Sequence, residues 1–156
     1  MPSDAAVHDP ALHEVAVRLL ARREHAAAEL VAKLEQRGFA HTDAAAEVER
    51  LAADGLQSDE RFTTLFVEQR VERGDGPMKV KAALNQRGVA AGQIDAALAA
   101  YEDEWPALAR AALERRFGGG VPVTRNERAR RARFLQQRGF PAAIVGRATG
   151  FEQTDD

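Results

Sequence analysis

Leu34-Glu35-Gln36-Arg37-Gly38-Phe39 returns as Leu84-Asn85-Gln86-Arg87-Gly88-Val89, and again as Leu135-Gln136-Gln137-Arg138-Gly139-Phe140. The three glycines stand 50 and then 51 residues apart. Chance rarely produces three such hexapeptides at one period in so short a chain, and a fixed period of this length marks a repeat architecture. The hexapeptide also says how each unit is built. If the glycine is the C′ residue of a helix, the arginine is its C-cap and the leucine falls at C3. The next apolar residue is then C″, which packs back on C3 in a Schellman motif. Leu34, Gly38 and Phe39, then Leu84, Gly88 and Val89, then Leu135, Gly139 and Phe140 all satisfy that pattern. A cationic arginine suits the negative end of the helix dipole, worth ~0.3–1 kcal/mol when exposed. The motif therefore reads as a helix stop and requires no ligand.

Working outward from the stops, each unit reads as three helices. The first offers 12–23, 26–37 and 43–54, the last ended by Gly55. The second offers 59–73, 77–87 and 93–104, with Phe62 and Phe66 on one face and Pro77 as an N1 residue. The third offers 106–117, 125–138 and 141–149, its middle helix opened by the capping-box sequence Thr124-Arg125-Asn126-Glu127. Gly118-Gly119-Gly120-Val121-Pro122 reads as a connector. No segment alternates with period two for long enough to make a strand. The expected fold is all-α: three tandem three-helix repeats at 13–57, 58–104 and 105–150, stacked as an elongated, curved array between tails at 1–12 and 151–156.

Composition fits a globular chain of 156 residues, with 45% apolar and 29% charged residues. The absence of cysteine excludes disulfides, thiolate zinc, iron–sulfur clusters and a cysteine nucleophile. No apolar stretch approaches the ~18 residues of a membrane span. A cytoplasmic monomer is expected. The net charge of -2 hides a polarity: 1–57 and 58–104 carry -4 and -3, while 105–156 carry +5. One end is thus suited to an anionic partner.

Catalytic constellations are missing. Gly74-Asp75-Gly76-Pro77 is too short for a phosphate loop and contains a proline. His13-Glu14 lacks the second histidine of a zinc hydrolase, and His8, His13, His25 and His41 share no metal-ligand interval. The histidines are expected as surface or cap residues, and Glu68 and Glu72 as solvated helix-face charges. No catalytic, cofactor or metal residue is assigned, and an enzyme is not expected. Tyr101 and Trp105 are expected to fill the seam between the second and third repeats. The strongest anomaly is one helix carrying Arg125, Arg128, Arg130, Arg131 and Arg133 beside Phe134 and Leu135. Arg128 and Arg131 share the face of Leu135; Arg130 and Arg133 point elsewhere. With Arg70, Lys79, Lys81 and Arg138, these five form the candidate partner-binding set.

At these residues the chain resembles the RecX family of bacterial recombinase regulators, from about residue 13 to 150. The first unit carries Arg23-Glu24-His25, Glu29-Leu30, Lys33-Leu34 and Arg37-Gly38-Phe39. The second carries Ser58-Asp59-Glu60-Arg61-Phe62, Phe66-Val67, Arg70, Gly74-Asp75-Gly76-Pro77 and Arg87-Gly88-Val89. The third carries Arg133-Phe134-Leu135 and Arg138-Gly139-Phe140. Two departures stand out, Ala26 where the family often has serine and Ala83 where it often has glutamate. The resemblance implies a non-enzymatic protein that binds the RecA recombinase and its nucleoprotein filament. It would lie in the filament's groove and restrain filament growth, ATP hydrolysis, strand exchange and repressor cleavage, as part of DNA repair and the SOS response. Single- or double-stranded DNA is a second candidate partner. The alternatives are a helical nucleic-acid-binding module acting without RecA, and a helical adaptor for an acidic protein.

Overall fold

The computed structural model describes residues 8–151; the tail segments 1–7 and 152–156 lie outside the described residues. Among the described residues the chain forms nine α-helices and no strand. The first repeat supplies α1 (Pro10–Arg22), α2 (Ala27–Gln36) and α3 (His41–Ala53). The second supplies α4 (Asp59–Glu72), α5 (Pro77–Gln86) and α6 (Ala91–Ala99), and the third α7 (Trp105–Phe117), α8 (Arg125–Arg138) and α9 (Ala142–Thr149).

All three hexapeptides end a helix in the expected way. The amides of Phe39, Val89 and Phe140 donate to the carbonyls of Leu34, Leu84 and Leu135 at 3.2, 3.2 and 3.1 Å. The glycine amides donate to Glu35, Asn85 and Gln136 at 2.9, 3.1 and 3.0 Å. These are the two bonds that define a Schellman stop. The same pair of bonds ends α4, where Gly74 donates to Val71 and Asp75 to Arg70, both at 3.0 Å. That fourth stop matters below, because it fixes Asp75.

Helix starts and ends differ from expectation where a local signal outranks periodicity. α1 begins at Pro10 rather than 12, because the Asp9 carboxylate accepts from the Ala11 amide at 2.9 Å and caps it. α6 stops at Ala99 rather than 104. Residues beyond it close as turns, Tyr101 donating to Leu98 at 3.0 Å and Glu104 to Tyr101 at 2.8 Å. Glu102, Asp103 and Glu104 would oppose the dipole at the end of α6, but they favour it just ahead of α7. Thr124 caps α8 by accepting from the Glu127 amide at 3.1 Å. The Glu127 carboxylate reaches the Val123 amide at 3.0 Å instead of that of Thr124, so the reciprocal half of the box is displaced by one residue. Ala26 cannot cap α2 with its side chain; the Ala27 amide is met by the Asp59 carboxylate at 2.7 Å.

Among the described residues there are two compact units. One runs to Leu65 and takes in Leu84–Gln93; the other comprises Phe66–Ala83 and the chain from Ile94. The middle repeat's helices are therefore shared between them. In the first unit Leu12, Ala16 and Leu19 of α1 pack with Leu30 and Leu34 of α2 and with Ala44, Val48 and Leu51 of α3. In the second, Trp105, Ala109, Ala112 and Leu113 of α7 pack with Ala132 and Leu135 of α8, Phe140 and Val145. Trp105 meets Phe140 edge-on at 6.4 Å and Tyr101 at 5.7 Å, with Val71 and Leu98 of the second repeat against the same core. Tyr101 and Trp105 thus fill the joint between repeats, and burial pushes the tyrosine hydroxyl above its ordinary pKa, with Glu68 and Glu104 adding to the shift.

Candidate functional site

Eight of the nine cations expected at a partner surface fall into three groups. Arg70, Lys79 and Arg138 converge on Asp75, each 3.6 Å from its carboxylate. Asp75 is 2% exposed, set in place by the Schellman stop of α4. The Gly74–Pro77 turn around it lies backbone to backbone against the third helix stop. The Gly76 amide donates to the Arg138 carbonyl at 2.6 Å, and the Met78 amide to the Gly139 carbonyl at 2.9 Å. A side chain does not fit there. A Cβ on Gly76 would lie 2.6 Å from the Gly139 carbonyl carbon, and one on Gly139 2.5 Å from the Lys79 nitrogen. Lys81, the ninth cation, stands apart and pairs with Asp95 at 3.4 Å.

Arg128 and Arg131 form the second group. Arg131 donates to the Gly120 carbonyl at 2.8 Å and Arg128 to the Val123 carbonyl at 3.4 Å, so both tether the glycine connector. This agrees with their place on the face of Leu135. The third group is Arg125, Arg130 and Arg133, which have no acidic partner among the described residues.

Around this third group the structure adds cations that sequence reasoning did not select. A cleft of about 310 Å³ is lined by Arg116, Phe117, Arg130, Arg133, Phe134 and Gln137. A neighbouring one of about 200 Å³ is lined by Arg73, Arg115, Arg116, Phe134 and Arg138. Arg116 and Phe134 belong to both, so the two clefts form one basic strip. Its floor is an edge-on pair, Phe117 and Phe134, 5.5 Å apart. The guanidinium groups of Arg116, Arg131 and Arg130 lie 5.1, 5.3 and 5.9 Å from the Phe117 ring, and that of Arg138 lies 5.2 Å from Phe134. Each such contact contributes about 0.5–1 kcal/mol at an exposed site. The rings hold like charges close together without neutralising them. The adjacent Arg115-Arg116 at the end of α7 was the one signal in the sequence for this strip. Guanidinium forks in this array can grip phosphates or carboxylates.

A second basic region lies on the first unit. Arg22, Arg23, Lys33 and Arg37 line a cleft of about 470 Å³ with His25 at its base. His25 is 1% exposed, which corrects the expectation of a surface or cap histidine. Its Nδ1 donates to the Arg23 carbonyl at 3.0 Å, which leaves Nε2 to accept from the Lys33 ammonium at 3.0 Å. The ring is therefore neutral. Burial pushes its pKa below the ordinary value, and the charges of Arg23 and Lys33 add to that against the carbonyl bond. Burial likewise lowers Lys33, with Arg23 contributing. For Glu29, burial acts to raise the carboxyl, but two bonds from Arg23 at 3.0 Å outweigh it and hold the group below the carboxylate norm.

Among the described residues no group of three or more histidine, aspartate or glutamate side chains could hold a metal ion, and no helix is long and apolar enough to cross a membrane.

Three family models match the chain: the first three-helix domain of RecX over residues 13–51, the second over 58–98 and the third over 102–149. Regulatory protein RecX of Halorhodospira halophila is 47% identical over 154 residues, covering 99% of this chain and 96% of that protein. Regulatory protein RecX of Pseudomonas savastanoi pv. phaseolicola is 39% identical, covering 94% of each. In fold, the chain is similar to the crystal structure of RecX from Lactobacillus salivarius, with a TM-score of 0.75 at 18% identity over 88% of this chain and 92% of that one.

Proposed function

Since the chain belongs to the RecX family, we propose that it binds the RecA recombinase filament and restrains it by occupancy, without chemistry of its own. The observation that carries this reading to particular residues is the basic strip on α7 and α8. Arg116, Arg130 and Arg133 face one open cleft over Phe117 and Phe134, with Arg73 and Arg115 alongside. Charges that the chain leaves uncompensated are available to an anionic partner surface. Arg125 joins them at the start of α8. Arg70, Lys79 and Arg138 act chiefly by holding Asp75, with Arg138 also reaching the strip. Arg128 and Arg131 act by shaping the connector that precedes α8.

RecA's ATP hydrolysis on single-stranded DNA is the direct test. Turnover should fall as this protein is added, and the protein alone should hydrolyse neither ATP nor DNA. Unchanged RecA turnover at saturating protein and low salt would sink the reading. The same strip also suits nucleic-acid phosphates, so a helical module acting on DNA without RecA is the second reading. It is favoured if binding to DNA alone is tight and its logarithmic salt slope corresponds to several neutralised phosphates, at about −0.9 per phosphate on duplex.

A further inference from the structure

Two of the three helix stops are occupied from within the chain. At the stop of α5, Gly88 faces the start of α2: a Cβ there would lie 2.6 Å from that of Ala28, and Arg87 stands 3.9 Å from the Glu29 carboxylate. At the stop of α8, Gly139 faces the start of α5, with two backbone bonds from Gly76 and Met78 and with Arg138 on Asp75. The rule is the same in both cases. A glycine without a side chain lets the first turn of another helix approach, and the preceding arginine meets an acid on that turn.

The stop of α2 has the same geometry and no occupant. Gly38 has φ +97°, and no described atom lies within 4 Å of where its Cβ would be. The Arg37 guanidinium has no ion-pair partner among the described residues, nor has that of Arg22 beside it in the cleft. Of the two acids of α2, Glu29 is bound by Arg23 through both oxygens and Glu35 is paired with His41. The cleft therefore keeps a net positive charge.

We infer that Arg37-Gly38 is a docking point for another protein's helix, one whose first turn carries an aspartate or glutamate. The occupant would place its acid on Arg37 and its first free amides against the Arg37 and Gly38 carbonyls, as the Asp75 turn does at Arg138 and Gly139. A second copy of this chain does not fit. Its one middle helix whose start is not seated on an internal stop is α8, and that start presents Arg125, Arg128 and Arg130 to the cations of the cleft, while its first-turn acid, Glu127, is held by the Val123 amide. The cleft shares no lining residue with the basic strip, and the inference stands whether or not RecA is the partner.

The test uses the full-length protein labelled with nitrogen-15 and a side-chain-stapled helical peptide carrying the sequence from Gly74 to Gln86. The amides of Arg37, Gly38 and Phe39 should shift on titration, saturating below about 1 mM, a value expected of one charged, hydrogen-bonded helix start. An asparagine at the Asp75 position of the peptide should weaken the interaction at least about tenfold, as should Arg37→Ala in the protein. Circular dichroism of the Arg37→Ala protein confirms that it is folded. No shift at these amides, equal binding of the asparagine peptide, or larger shifts there with an oligothymidylate than with the peptide would overturn the inference. The last result would assign the cleft to phosphate instead.

Discussion

Asp75→Asn is the sharpest perturbation of the second unit, because it keeps the shape of the side chain while removing its charge and turning one acceptor oxygen into a donor. The carboxylate is 2% exposed and has Arg70, Lys79 and Arg138 each at 3.6 Å. None of the three is close enough for a strong hydrogen bond, so the stabilisation is mostly Coulombic. A fully buried pair that loses one partner costs about 3–5 kcal/mol. These cations retain water, with side-chain exposures of 21%, 46% and 38%, and exposed pairs contribute only about 0–1 kcal/mol each. Three discounted attractions, together with the repulsion left among three like charges, give about 2–3 kcal/mol. For a chain of this size that lowers Tm by roughly 4–12 °C. Thermal unfolding followed by circular dichroism reads it directly. Adding Arg138→Gln to the asparagine variant should recover part of the loss, since one repelling charge disappears. Asp75→Asn within about 0.5 kcal/mol of wild type, the range of neutral surface changes, would refute the assignment of Asp75 as an electrostatic hub.

Gly139→Ala should destabilise far more than Gly38→Ala: both require positive φ, at about 1–2 kcal/mol, but only the former also meets backbone, at 2.5 Å, so equal Tm losses would contradict the occupied-stop geometry. Arg130→Gln with Arg133→Gln should weaken RecA–DNA filament binding about tenfold or more if each contact contributes about 1 kcal/mol, with Tm unchanged. Arg128→Gln with Arg131→Gln should instead raise amide exchange in the connector at 118–124; the reverse pattern in a filament titration would exchange the roles given to the two pairs. Stability should decline as pH falls below about 6.5, because unfolded His25 takes up a proton that the folded ring, with its lowered pKa, resists. A further decline through the carboxylate range is expected as Glu29 and the buried Glu47 are protonated. Burial acts to raise Glu47, but bonds from Arg50 at 2.7 Å and His13 at 2.6 Å outweigh it and hold the carboxyl low. Denaturant titrations between pH 5 and 8 check the first step, which His25→Gln should flatten.

The helix stops were legible because a Schellman motif is written in six consecutive residues, and each of the three hexapeptides forms its two bonds. Pro77 and Thr124 marked their helix starts for the same local reason. Asp9 was missed because the first apolar residue of the periodic stripe, Leu12, lies three residues beyond it. The end of α6 was overrun because periodicity does not register which helix terminus an acidic triplet prefers. His25 shows a different limit. Its burial follows from a carbonyl and a lysine on either side of the ring, and neither partner is signalled by spacing. The candidate cations divide along the same line. Sequence gathered Arg125 to Arg133 because they share a helix. The convergence of Arg70, Lys79 and Arg138 on Asp75, and the arrival of Arg73 and Arg115 beside Arg138 and of Arg116 beside Arg130, depend on packing between elements apart in the chain.

That separation has a consequence for how the protein is made. Arg138 also donates to the carbonyl of Arg73, 65 residues earlier, at 3.5 Å. At a translation rate of about 5–20 residues per second, the Gly74–Pro77 turn waits roughly 3–13 s for its partner to be synthesised. During that interval Asp75 has Arg70 and Lys79 from its own neighbourhood, but neither the guanidinium nor the carbonyls of α8. The second unit therefore closes last during synthesis, and over a long loop. A nascent chain cut short before α8 keeps its first unit's core residues intact, yet it exposes the backbone seat that only a glycine can fill.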